Sequence, residues 1–192
     1  KTAQLASAGC SVTAVDQSAP RMARLSENMD RLGLQVETIV GDALELGETG
    51  TFDAVLLDAP CSATGTLRRN PDVAHLRSAE DIAGVAELQE RLLAHAAGLV
   101  RPEGHLLYAT CSLEPEEGEQ QVERIMAAHP AWTLCSPNFE SLPEGSVSEN
   151  GTLRTLPHQT PHLGGGPAGE ADQQPRAGMD GFFIALLKAP PA

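Results

Sequence analysis

The residues of this chain best suited to covalent chemistry are two cysteines in short, similar motifs, Pro60-Cys61-Ser62 and Thr110-Cys111-Ser112. Each follows a run with the composition of a β-strand, Phe52 to Asp58 (FDAVLLD) and His105 to Thr110, and each has a small hydroxyl residue beside the sulfur. Asp16, Asp42 and Asp58 end three successive strand-like runs in the same way. Open α/β sheets bind ligands in the crevice beyond the carboxyl ends of their strands, so the pattern predicts three carboxylates and a thiol on one rim. An Asp after a strand also starts a turn well, and for any one of the three that plainer reading is equally good. The coincidence of all three with two cysteines favours a site. Which cysteine attacks stays open at this level, because both follow a strand and both have a hydroxyl neighbour.

The elements that must carry these residues alternate between helical spacing and short β-branched runs, the pattern of βαβ units. Residues 1–9 read as the tail of a helix stopped by Gly9, and Ser11 to Asp16 as a strand. Met22, Leu25, Met29 and Leu32 mark one face of a helix that Ser18 can cap and Gly33 can end. Val36 to Asp42 is the next strand, and Phe52 to Asp58 is apolar enough to be a central parallel strand buried on both faces. Ser78 and Asp81 form a capping-box pattern ahead of Ile82, Val85, Gln89, Leu92, Ala96 and Leu99 on a long amphipathic helix. A strand over His105 to Thr110, a helix over 115–129, a short strand over Trp132 to Cys135 and a closing strand over Gly181 to Lys188 complete the order. Residues 137–179, rich in Pro, Gly and polar residues, are expected to form a long, partly mobile loop. The fold class is therefore α/β, with a mixed, mostly parallel sheet and helices on both faces.

The 192 residues suit one domain, here taken as 1–192, with a core built from Ala, Leu and Val because only six residues are aromatic. The formal charge of −13 is unusual for a protein that must neutralise phosphates. Without a signal peptide pattern or a membrane-length apolar run, Cys10, Cys61, Cys111 and Cys135 are expected to stay reduced in the cytoplasm, with Cys10 and Cys135 as buried structural thiols. Three disulfide pairings of the four are possible in principle but not expected. His158 and His162 are spaced i, i+4 in a Pro-rich stretch rather than a helix, so no metal site is expected. Phe182 and Phe183 are expected to serve the core before any base stacking. Counting back about 20 residues from Asp16, the usual distance from a ribose-binding acid to its glycine loop, puts that loop and the first strand ahead of Lys1. Lys1 is accordingly not expected to be the natural start, and Asp42 falls beside the adenine.

The ordered set Ala14-Val15-Asp16, Gly41-Asp42, Leu57-Asp58-Ala59-Pro60-Cys61-Ser62-Ala63-Thr64-Gly65, Arg68-Arg69-Asn70-Pro71-Asp72, Tyr108-Ala109-Thr110-Cys111-Ser112 and Asp180-Gly181-Phe182-Phe183 resembles the Nop2/Sun (NSUN) family of RNA cytosine-5 methyltransferases. Within it, the chain is most similar to the bacterial branch that acts on small-subunit (16S) ribosomal RNA. The resemblance covers almost the whole chain and implies a Rossmann-like class I methyltransferase fold, S-adenosyl-L-methionine as cofactor and RNA as partner. It further implies that Cys111 attacks C6 of the cytosine, that Cys61 helps to release the product and that Asp58 contacts the base. Lys1, Asp16, Arg21, Asp42, Asp58 and Pro60 are the cofactor-binding residues it implies. A thiol needs help to ionise at pH 7, and Arg68 and Arg69 are candidates to give it or to hold phosphate. The family's Pro-Gly-Gly-Lys-Thr type loop survives only as Lys1-Thr2, and the N-terminal RNA-binding domain usual in the bacterial enzyme is not in this sequence, so cofactor affinity is expected to be weak. Two other readings fit parts of the pattern. A nicotinamide-dependent oxidoreductase would also end its second strand in Asp, and a non-catalytic binding or dimerising remnant would suit the missing loop and the acidic charge.

Overall fold

The computed structural model describes residues 1–47, 49–136, 142–143, 145–159 and 178–192. These fall into two compact units, Lys1–Gly47 and Glu48–Ala192. In the first, helix α1 (Thr2–Ser7) is followed by Gly9 at φ 89°, a left-handed value natural to glycine. Strands β1 (Thr13–Asp16) and β2 (Glu37–Val40) pair in parallel with Asp16 opposite Val40. Helix α2 (Ala19–Leu32) connects them; the Ser18 hydroxyl accepts the Arg21 N–H at 3.4 Å, and Gly33 closes the helix in the left-handed region. Met22 and Met29 are buried as their spacing requires, whereas Leu32, the last helical residue, is 47% exposed. Cys10 is exposed rather than buried, because it lies in the connection after Gly9 and β1 begins only at Thr13.

The second unit opens with strand β3 (Phe52–Asp58), a short helix α3 (Val73–Leu76) and the long helix α4 (Ala79–Leu99). Ser78 and Asp81 make the reciprocal bonds of a capping box, the Asp81 N–H donating to the Ser78 hydroxyl at 3.1 Å and the Ser78 N–H to the Asp81 carboxylate at 2.9 Å. Strand β4 (Val100–Thr110), helix α5 (Glu119–Ala128) and strands β5 (Thr133–Cys135), β6 (Leu153–Thr155) and β7 (Phe182–Lys188) follow. The sheet order is β3-β4-β7-β5, with β6 also paired to β7. It is mixed, as expected, but with a larger antiparallel share: β3 and β4 run parallel, and every antiparallel pair includes β7. Leu93, Ala96 and Ala97 of α4, Val122 and Ile125 of α5, Leu106 and Tyr108 of β4 and Phe183, Ala185 and Leu187 of β7 form the core. Burial of the larger apolar side chains among them stabilises the fold by about 1.5–3 kcal/mol each.

Two expectations need correction. Strand β3 is not buried on both faces: Val55 and Leu57 pack against the core, while Ala54, Leu56 and Asp58 are exposed, because only one face of the strand meets the core of this unit. The stretch after β5 is not all loop, since Leu153–Thr155 adds a strand to the edge of β7 and Val147 bridges to Leu153. Three residues are too few to leave a periodic signature in a Pro- and Gly-rich context. Phe183 is fully buried and meets Tyr108 edge-on at 6.3 Å, and Phe182 is half-buried. His162 lies outside the described residues, and no group of His, Cys, Asp and Glu among the described residues has the arrangement of a metal site. Among the described residues, no helix is long and apolar enough to cross a membrane.

Candidate active site

The register of the parallel pair sets Asp58 opposite Ala109, so the chain leaves β3 and β4 at the same level and both cysteine motifs begin there. After β3 the backbone passes through Ala63 at φ 63°, a left-handed value that costs an alanine about 1 kcal/mol, and enters a tight turn over Thr64–Thr66. That turn brings Gly65 against the other loop: its N–H donates to the Cys111 carbonyl at 2.9 Å, and its own carbonyl accepts the Gly181 N–H at 2.7 Å. A Cβ on Gly65 would overlap the Gly181 carbonyl oxygen and lie 2.8 Å from that of Cys111, so three chain segments close on a position only glycine can fill. The Leu113 N–H donates to the Thr64 hydroxyl at 2.9 Å and stitches the loops together again.

Across this closure the sulfurs of Cys61 and Cys111 lie 3.3 Å apart. The two thiols share a hydrogen bond across that gap, and Cys61 is the deeper of the two. That hydrogen bond is the main cause lowering the Cys111 pKa to about 7, against burial and the nearby carboxylates of Asp58 and Asp180. The same bond, with burial, pushes the Cys61 pKa up. Near neutral pH about half of Cys111 is therefore thiolate beside the Cys61 thiol, which supplies the ionised form a cysteine nucleophile requires. Arg68 and Arg69 are not the source of the shift; the Arg69 guanidinium instead bonds Asp180 at 2.7 Å.

Beneath the sulfurs lies a buried polar cluster. Ser62 and Ser112 put their hydroxyls 3.1 Å apart, and the fully buried Glu117 accepts from the Ser112 hydroxyl at 2.8 Å and from the Ser62 N–H at 2.9 Å. Gln89 on α4 donates to Glu117 at 2.8 Å and to the Pro60 carbonyl at 2.7 Å. On the outside, Arg77 donates to the Ser62 carbonyl at 3.0 Å and Arg154 to the Ser112 carbonyl at 3.0 Å.

Of the residues singled out in the sequence, Asp58, Pro60, Cys61 and Cys111 come together here. In the first unit Asp16 ends β1, Asp42 follows β2, Arg21 lies in the first turn of α2 and Lys1 precedes α1. Asp16 accepts the Ser18 N–H at 2.7 Å and the Arg21 guanidinium at 2.8 and 3.1 Å. Burial works against its charge, but those donors outweigh it and hold the carboxyl below its ordinary range. Asp42 accepts the Leu44 N–H at 2.9 Å, so both Asp16 and Asp42 do start turns, as the plainer reading expected. Two residues escaped the sequence reading, Glu117 and Arg154, which gave no local signal. Asp180, read there only as part of the Asp180-Gly181-Phe182-Phe183 motif, has one buried carboxylate oxygen with no hydrogen-bond partner among the described residues.

A family model described as 16S rRNA methyltransferase RsmB/F matches residues 1–165. Ribosomal RNA small subunit methyltransferase B of Shewanella oneidensis is 47% identical over 180 residues, covering 92% of this chain and 37% of that protein. Its counterpart in Vibrio vulnificus is 40% identical over 179 residues, covering 92% of this chain and 36% of that protein. The chain thus spans little more than a third of the length of these relatives. The crystal structure of NSun6 from Pyrococcus horikoshii with SFG superposes with a TM-score of 0.73 at 28% identity, over 95% of this chain and 42% of that one. The fold is the Rossmann-like class I methyltransferase fold expected from the sequence. The chain belongs to the 16S rRNA methyltransferase RsmB/F family.

Proposed function

We propose that this chain is the catalytic part of an enzyme that methylates C5 of a cytosine in RNA, most specifically small-subunit ribosomal RNA, with S-adenosylmethionine as donor. The observation that carries this reading is the thiol pair, 3.3 Å apart, with Cys111 lowered to about 7. C5 of cytosine is a poor nucleophile until C6 carries a covalent adduct. Attack by the Cys111 thiolate forms the S–C6 bond and moves an electron pair toward C5. S-adenosylmethionine, when bound, supplies an electrophilic methyl group for that carbon. Once the Cys111 sulfur is a neutral thioether, the main cause raising the Cys61 pKa is gone, so Cys61 loses its proton to water and, as thiolate, takes the C5 proton. The C5–H pair then restores the double bond and expels Cys111 as thiolate.

The donor set suits the cofactor. Asp16, held ionised at the end of β1, is an acceptor for ribose hydroxyls, and Arg21 fixes its orientation. Asp42 at the end of β2 serves the adenine, with Lys1 in the same unit as part of the set. Asp58, exposed at the end of β3 and close enough to Cys111 to oppose its ionisation, serves the base. A nicotinamide-dependent oxidoreductase would use Asp16 equally well but has no role for two adjacent thiols.

The test is methyl transfer by the protein as its gene encodes it, using S-adenosylmethionine labelled in the methyl group and small-subunit ribosomal RNA. Label at C5 of cytosine, read by nucleoside mass spectrometry, is the expected result. Label in another nucleoside would overturn the reading, and no transfer at all would favour a non-catalytic remnant.

A further inference from the structure

We infer that Glu117 is the positioning residue that sets the distance between the two cysteine loops, an inference that rests on the covalent reading above. Each oxygen of its carboxylate is committed to a different loop. Oε2 accepts the backbone N–H of Ser62 at 2.9 Å, and Oε1 accepts the Ser112 hydroxyl at 2.8 Å. Those serines directly follow Cys61 and Cys111. Gln89 donates to Oε2 at 2.8 Å and to the Pro60 carbonyl at 2.7 Å, which ties the residue before Cys61 to the same point. The hub is itself anchored, since the Tyr108 hydroxyl donates to the Glu117 carbonyl at 2.8 Å from β4, three residues before Cys111.

A fully buried carboxylate is a costly way to fill space, and an apolar side chain would serve stability alone as well or better. What an apolar side chain cannot do is accept from both loops at once. The sulfur–sulfur distance of 3.3 Å decides whether Cys61 reaches Cys111 with its proton, so a residue that fixes this distance acts on the nucleophile without touching substrate.

The test reads the nucleophile directly. The protein as encoded is alkylated with iodoacetamide across a pH series, and Cys111 labelling is followed by peptide mass spectrometry, with no RNA or methyl donor present. In Glu117→Leu the midpoint for Cys111 is expected to rise by about one unit, so that labelling at pH 7 slows several-fold to about 10-fold. Glu117→Gln should rescue the profile, because its amide oxygen can accept from Ser62 and Gln89 while its NH₂ donates to the Ser112 hydroxyl. A folded Glu117→Leu protein with the parent midpoint overturns the inference, as does Glu117→Gln behaving like Glu117→Leu. Should Glu117→Leu not fold, Ser112→Ala removes the Oε1 link, together with the Ser112 hydroxyl's contacts to Ser62, Thr64 and the Glu114 N–H, and must still raise the midpoint; an unchanged midpoint there also overturns it. Shifted labelling in a protein that transfers no methyl group to RNA would sink the functional reading and leave the role of Glu117 standing. Methyl transfer with an immobile labelling profile would do the reverse.

Discussion

The loop that carries Cys61 and the loop that carries Cys111 leave neighbouring strands of one parallel pair, read Cys-Ser in the same order, and have the serine carbonyl held by an arginine at the same 3.0 Å. Yet the pKa of the first thiol is pushed up and that of the second is lowered. The arginines differ as well. Arg154 is itself gripped by Glu119 at 2.7 and 2.8 Å and lies 5.1 Å from the centre of the Phe183 ring, whereas Arg77 is exposed. Two motifs of the same composition thus acquire different chemistry from depth and support, which is how environment ordinarily separates like groups.

The sharpest way to break this comparison is to delete each sulfur in turn in the protein as encoded. Cys111→Ala is expected to abolish methylation and leave no protein–RNA adduct. Cys61→Ala should still attack and methylate but stall at elimination, so that a covalent complex survives denaturing electrophoresis. The opposite pattern would exchange the roles of the two thiols.

A slightly smaller effect is expected at the joint between the loops. Gly65→Ala forces a Cβ into the Gly181 carbonyl, and backbone on both sides leaves little room to yield. We expect a loss of about 3 kcal/mol in urea unfolding, or a smaller loss with the loops displaced and Cys111 labelling altered. Parent stability together with parent labelling would mean that the close approach is not maintained in solution.

Cys61→Ala also offers a pH test that needs no RNA. The Cys111 thiolate prevails above its pKa, so a pKa of about 7 leaves about half of it ionised at pH 7. Removing the Cys61 donor returns the group toward about 8.5, where about 3% is ionised, and alkylation at pH 7 should slow about 10-fold. An unmoved pH profile would show that Cys61 is not the source of the shift.

The smallest effects should separate the two arginines. Arg154→Met breaks a partly buried ion pair and its bond to the Ser112 carbonyl, and is expected to cost about 2 kcal/mol by thermal or denaturant unfolding. Arg77→Met loses one part-buried hydrogen bond from an exposed residue and should cost about 0.5–1 kcal/mol. Equal losses would remove the difference in support from the comparison.

Much of the architecture lies in local pattern, which acts over a few residues. Ser18 and Gly33 bound α2 where their backbone preferences direct, Ser78 and Asp81 start α4, and the apolar runs before Asp16, Asp58 and Cys111 become the strands that place them. The family, too, is legible in short ordered motifs. Burial, distance and ionisation depend on segments far apart in the chain, and those appeared only on folding. Glu117 sits in an acidic run, Glu114, Glu116, Glu117 and Glu119, yet it alone is fully enclosed, because its partners Ser62 and Gln89 come from 55 and 28 residues away. Leu56 looked like core and is 38% exposed, because periodicity cannot say which face of a strand its neighbours will cover. Cys61 and Cys111 were indistinguishable as motifs, and their roles diverged only when β3 and β4 paired in register, since a hydrogen bond between sulfurs 50 residues apart exists only in the folded chain.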